Sequence, residues 1–147
     1  MLTPPPAPIA GRPQVGDPLR AAGFPTGIPM KLVDGCEVIG YKDAVDAYTM
    51  NCDLLSGNSG SGIRGDAGRV LGGYFAGGGD YKPSPDDDCF IRLSVAQDGT
   101  IPGTTDIPQL GSFSPVGPVV DLLCESGHVT PLCGKARCVC HSRSAGG

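Results

Sequence analysis

The sequence predicts an all-β domain, an antiparallel sandwich or barrel, on three observations. Of its 147 residues, 24 are Gly and 15 are Pro, which leaves no room for a long helical bundle. Between residues 19 and 95 lie six short runs rich in β-branched or aromatic residues, punctuated by Gly, Pro or Asp: Leu19–Phe24, Met30–Ile39, Val45–Met50, Gly60–Ile63, Val70–Ala76 and Cys89–Val95. The gaps between them carry turn chemistry, in Phe24-Pro25-Thr26-Gly27, Asp34-Gly35, Asp66-Ala67-Gly68 and Gly77-Gly78-Gly79-Asp80, all with residues that tolerate positive φ.

Taken in order, residues 1–15 read as a Pro-rich, disordered lead-in, because Pro4-Pro5-Pro6 and Pro8 each fix φ and remove a ladder donor. Residues 16–98 hold the six strand runs and form the β domain. Residues 99–117, dense in Pro, Gly, Thr and Ser, read as a linker without a hydrophobic period of its own. In residues 118–147 a short helix is expected behind Pro118, with Val119, Val120, Leu122 and Leu123 at near-helical spacing and Gly127 as terminator. A Cys-rich tail follows, and its last residues, Ser142–Gly147, are expected to be disordered.

A formal net charge of −4 is the wrong sign for gripping a phosphate backbone, so nucleic acid is excluded as a partner. No run approaches the roughly 18 apolar residues of a membrane helix, so a membrane is excluded as well. Seven cysteines in so short a chain point to an oxidising, extracytoplasmic compartment. The opening MLTPPPAPIAG has neither the basic start nor the apolar core of a secretion signal. The expectation that reconciles these is a signal and further sequence upstream of Met1.

The chemically sharp segment is Gly57-Asn58-Ser59-Gly60-Ser61-Gly62, followed at once by a strand-like run. A nucleophilic hydroxyl must project from a tight turn, and nearby N–H groups must meet the oxygen that becomes negative in acyl transfer. Glycines on both sides of Ser59 permit both. The bland alternative is a flexible Gly-rich loop.

This hexapeptide resembles the nucleophile motif of trypsin-like (chymotrypsin-fold) serine proteases in their bacterial glutamyl-endopeptidase-like form, with Gly62 where a proline commonly follows the second serine. Gly16-Asp17-Pro18-Leu19 and the stretch from Ala22 to Lys31 are similar to the strand and turn that open the second barrel of that family. Val70–Phe75 falls where those enzymes keep the strand that pairs with bound peptide. The likeness covers roughly residues 15–95 and implies a six-stranded antiparallel barrel, secreted and bacterial, that needs no cofactor or metal.

The resemblance makes Ser59 the nucleophile and gives the oxyanion hole to the N–H groups of Gly57 and Ser59. Asp53 would lie at the base of the primary specificity pocket, where an acid can favour a basic side chain. Tyr74, Phe75 and Ala76 would offer main-chain groups to a polypeptide substrate as an added strand.

The family's general-base His and its Asp lie upstream of the serine, and here no histidine precedes His128. The chain therefore reads as the second barrel alone, weak or inactive without a first barrel as partner, since an unassisted serine hydroxyl is a poor nucleophile. Its alternative is a non-catalytic, disulfide-stabilised β domain that binds a peptide. Cys36, Cys52 and Cys89 allow one bridge and one free thiol, with Cys89 paired to Cys36 or Cys52 as the guess. In the tail, Cys124, Cys133, Cys138 and Cys140 with His141 read as two disulfides, with zinc the alternative. Asp86-Asp87-Asp88 reads as a solvated turn, with weak calcium binding as its alternative.

Overall fold

The computed structural model describes residues 11–86, 88–96, 98, 100 and 110–127. Its centre is a closed antiparallel barrel in the order β1-β2-β3-β8-β5-β4, built from β1 (Pro18–Gly23), β2 (Lys31–Lys42), β3 (Ala47–Met50), β4 (Gly62–Arg64), β5 (Val70–Ala76) and β8 (Gly111–Pro115). Strands β6 (Tyr81–Pro83) and β7 (Phe90–Arg92) form a separate two-stranded sheet, and α1 (Gly117–Glu125) follows the barrel.

Alternation along the strands builds the core. In β1, Leu19, Ala21 and Gly23 point inward while Pro18 and Arg20 face out, the period of two that a pleated strand imposes. Leu19, Val38, Met50, Ile63 and Phe113, each 0–1% exposed, meet at the barrel axis. Phe113 stacks on Tyr48 with ring centroids 5.5 Å apart, across the Tyr48↔Phe113 pair of β3 and β8.

Five of the six expected runs supply barrel strands, and the sixth does not. Cys89–Val95 contributes only β7, whose three residues are all exposed, whereas the barrel is closed by β8 from within the expected 99–117 linker. The physical reason is burial. Phe113 between two serines gives one inward anchor, and the strand pairs on both edges, with β3 and with β5. The barrel thus runs past residue 98, to Pro115.

The turn at Asp34-Gly35 does not reverse the chain either. Gly35, at φ +70°, lies inside β2, which continues through the register shift in its pairing with β1. The expected helix is present with Pro118 in its first turn and Gly127 at φ +81° beyond its end. Of its apolar residues only Val120 is buried.

The disulfide joins Cys36 to Cys52, with Cα atoms 4.9 Å apart, and Cys89 is a free, exposed thiol. This corrects the pairing with Cys89. Val38 pairs with Met50, so Cys36 and Cys52 continue the same antiparallel register two residues on, while Cys89 stands on the outer hairpin. Cys124 is disulfide-bonded as well. The remaining tail cysteines and both histidines lie outside the described residues, as do Asp87, residues 1–10 and Ser142–Gly147.

Ahead of β1, Arg12 is tied to the β2–β3 hairpin. Its guanidinium donates to both carboxylate oxygens of Asp46 at 2.8 and 3.2 Å and to the Tyr41 hydroxyl at 3.2 Å. Tyr41 donates in turn to Asp46 at 2.7 Å. These bonds, Tyr41 first and Arg12 second, hold the Asp46 carboxyl below its ordinary range.

Candidate functional site

The loop between β3 and β4 carries Ser59, and it is fixed on three sides. The Thr26 N–H donates to Ser56 C=O at 2.7 Å, the Ser56 N–H donates to Asp80 Oδ2 at 2.8 Å, and the Tyr74 hydroxyl reaches Leu54 C=O at 3.4 Å. Burial, and then the Asp80 carboxylate, push the Tyr74 phenol above its usual range. The turn at Phe24–Gly27 and the chain after β5 are therefore what the loop rests on.

Within the loop the backbone alternates between spent and unspent donors. Asn58 N–H donates to Leu55 C=O at 3.3 Å, Gly60 N–H to Tyr74 C=O at 2.8 Å, and Ser61 N–H to Asn58 C=O at 2.9 Å. Among the described residues, no acceptor faces the N–H of Gly57 or of Ser59. Both residues are exposed, and an exposed donor without a protein partner is open to an incoming oxygen.

Two glycines make this turn possible. Gly57 stands at φ +92° and Gly60 at φ +87°, so Ser59 is carried between two left-handed steps. A Cβ on Gly57 would also lie 2.8 Å from Thr26 N and 3.1 Å from Phe24 O. Asn58 is 2% exposed and donates through Nδ2 to Leu55 C=O at 2.9 Å, which doubles the backbone bond to the same carbonyl. Its Oδ1 is buried with no partner among the described residues.

Asp53 lies six residues before Ser59, partly buried, and its Oδ2 receives a 2.5 Å bond from Arg92 of β7. A small cavity of about 20 Å³ is lined by residues 52–55 and 77–80 with Leu93, Val95 and Gly111. Asp53 and Asp80 line it. The Tyr74 backbone is used inside the barrel, its N–H to Ser61 C=O at 3.0 Å and its C=O from Gly60. Phe75 sits at a register shift of β5 against β8 and is exposed, and Ala76 pairs with Ser112. Ser59, Gly57 and Tyr74 thus come together, with Asp53 on the cavity behind the loop.

Three contributors to the site, Asp80, Asn58 and Arg92, are given no site role by the sequence. Asp80 follows the Gly77–Gly79 turn, so its capping chemistry was a visible signal. Asn58 lies inside the motif. Nothing local marks Arg92, which meets Asp53 across 39 residues.

The fold is the six-stranded closed barrel of protease-like proteins, with one short helix. No family model and no curated protein matches the chain. Among solved structures it is similar to the Rv3671c protease from M. tuberculosis. The inactive form of a serine-to-alanine mutant aligns at 20% identity and TM-score 0.51, over 87% of this chain and 56% of that one. The active form aligns at 21% identity and TM-score 0.51, over 87% and 51%. A further inactive form gives 21% identity and TM-score 0.52, over 84% and 56%. This chain spans about half the length of those structures.

Proposed function

We propose that this barrel is the nucleophile-bearing half of an extracytoplasmic serine endopeptidase of the trypsin-like class. The observation that carries the reading is the pair of unspent N–H groups, Gly57 and Ser59, flanking an exposed hydroxyl between two positive-φ glycines. In this reading Ser59 Oγ attacks the scissile carbonyl, its proton passes to a general base, and the new C–O⁻ is received by the two amides. The amine leaves with a proton from that base, and water then releases the acyl group from Ser59. Asp53 borders the pocket for the side chain at the cleaved bond, and β5 borders the extended peptide at Phe75 and Ala76 rather than at Tyr74, whose N–H and C=O are taken by Ser61 and Gly60.

No histidine lies among the described residues, His128 and His141 falling outside them, so the described barrel does not itself carry the general base. We assign it to a partner first barrel. Phe24, which opens the turn that holds the Ser59 loop, and Ile28, Met30 and Leu32, which follow it, are each 43–71% exposed and offer an apolar surface to such a partner. Alone, the chain then retains at most the modest acceleration of an oxyanion site without its base, about 10³–10⁴ over water.

A fluorophosphonate probe tests this by intact mass. One adduct at Ser59, faster when a first-barrel protein is added and absent from Ser59→Ala, is the expected result. No adduct under either condition overturns the reading in favour of a peptide-binding domain with a protease-like shape.

A further inference from the structure

The cavity behind the Ser59 loop holds two carboxylates, yet neither is presented bare. Asp80 Oδ2 accepts the Ser56 N–H, and Asp53 Oδ2 accepts the Arg92 guanidinium. Arg92 comes from the outer β6–β7 sheet, and the next residue, Leu93, donates its N–H to Asp80 C=O at 2.8 Å while lining the cavity. That bond continues the β6–β7 ladder past the Tyr81↔Arg92 pair, and the hairpin is tied to the loop at its two ends, by Ser56 N–H to Asp80 and by Arg92 to Asp53.

We propose that Arg92 is the specificity-determining residue of this cavity: its ion pair with Asp53 turns the site away from basic side chains and toward small uncharged ones. This rests on the reading of Ser59 as a peptide-cleaving group. Three physical points support it. A basic side chain arriving from a substrate meets an acid already held by an intramolecular cation, whose effective concentration is in the millimolar range or above. An acidic side chain meets Asp80. At about 20 Å³ the space admits little more than a water-sized group, with Leu54, Leu55 and Leu93 among its walls.

The pair is partly exposed, with side-chain exposures of 49% for Arg92 and 28% for Asp53, so its removal changes selectivity moderately rather than absolutely. Exposure also makes Arg92 replaceable without loss of the barrel. The test uses the full chain and three labelled hexapeptides that differ only in Ala, Arg or Glu at the residue entering the cavity, read by fluorescence anisotropy. The native chain should bind the Ala peptide most tightly. In Arg92→Ala, and likewise in the bulkier Arg92→Gln, the Arg peptide should gain about threefold to fivefold relative to Ala. That gain should disappear when Asp53→Asn is added.

An Arg preference in the native chain, or an unchanged ranking in both Arg92 variants, overturns the proposal. Failure to bind any of the three peptides does so too. Because anisotropy needs no reaction, fluorophosphonate labelling reports on Ser59 separately. The expected ranking without labelling keeps the selective cavity and removes the peptidase, whereas labelling without the ranking does the reverse.

Discussion

The Ser59 turn rests on two glycines whose costs of replacement differ for a physical reason. Gly60, at φ +87°, has open space where a Cβ would sit, so Gly60→Ala should cost only the left-handed strain, about 1 kcal/mol. Gly57 adds an overlap with Thr26 N to its φ of +92°, so Gly57→Ala should cost about 2 kcal/mol or more, and urea titration of both variants distinguishes them. Ser59 and its glycines were legible because turn chemistry is local. The partners of Asp53 were not, because an ion pair across 39 residues leaves no trace in spacing. Asp46 gives the pH dependence. Its folded pKa lies below the unfolded value, so the Arg12–Tyr41 clamp contributes fully above the ordinary carboxylate range and is lost as pH falls through the lowered folded value. Thermal melts of the native chain and Asp46→Asn should therefore differ near pH 6, with the native chain melting higher, and should converge only once the pH falls below the lowered folded value. Asn is the fitting control because it shares Asp's tolerance of the φ of +44° found there.

At the scale of elements, β7 and β8 exchange the roles that composition assigns them. Phe90 is 72% exposed and Phe113 0%, so Phe113→Ala should cost about 3–5 kcal/mol while Phe90→Ala stays within about 0.5, as measured by urea unfolding. Equal, small costs for both would remove β8 from the barrel. The five other barrel strands were legible from runs of β-branched and aromatic residues bounded by turns. β8 was hidden because Gly111-Ser112-Phe113-Ser114-Pro115 has one large apolar residue, and its serines and proline carry the same composition as a linker. What makes it a strand is tertiary: two edges to pair with and a tyrosine to stack on.

For the molecule as a whole, the barrel needs its bridge because a core of this size is small. Cys36 and Cys52 close a loop with a sequence separation of 16, and replacing both by Ala should lower stability by about 3 kcal/mol. The same change should loosen the cavity that Cys52 and Asp53 line, weakening peptide binding along with the melting point. The shared barrel with the Rv3671c protease, over about half the length of that chain, sets the frame in which Ser59 is presented. How Ser59 is presented can be read from the amides beside it. In a ¹⁵N-labelled chain treated with a peptidyl boronate, the Gly57 and Ser59 N–H signals should shift downfield and become protected from exchange, while Gly60 and Ser61, already bonded to Tyr74 and Asn58, stay where they are. Boron adding elsewhere, with the Gly57 and Ser59 amides unchanged, would mean that this turn is not an oxyanion site.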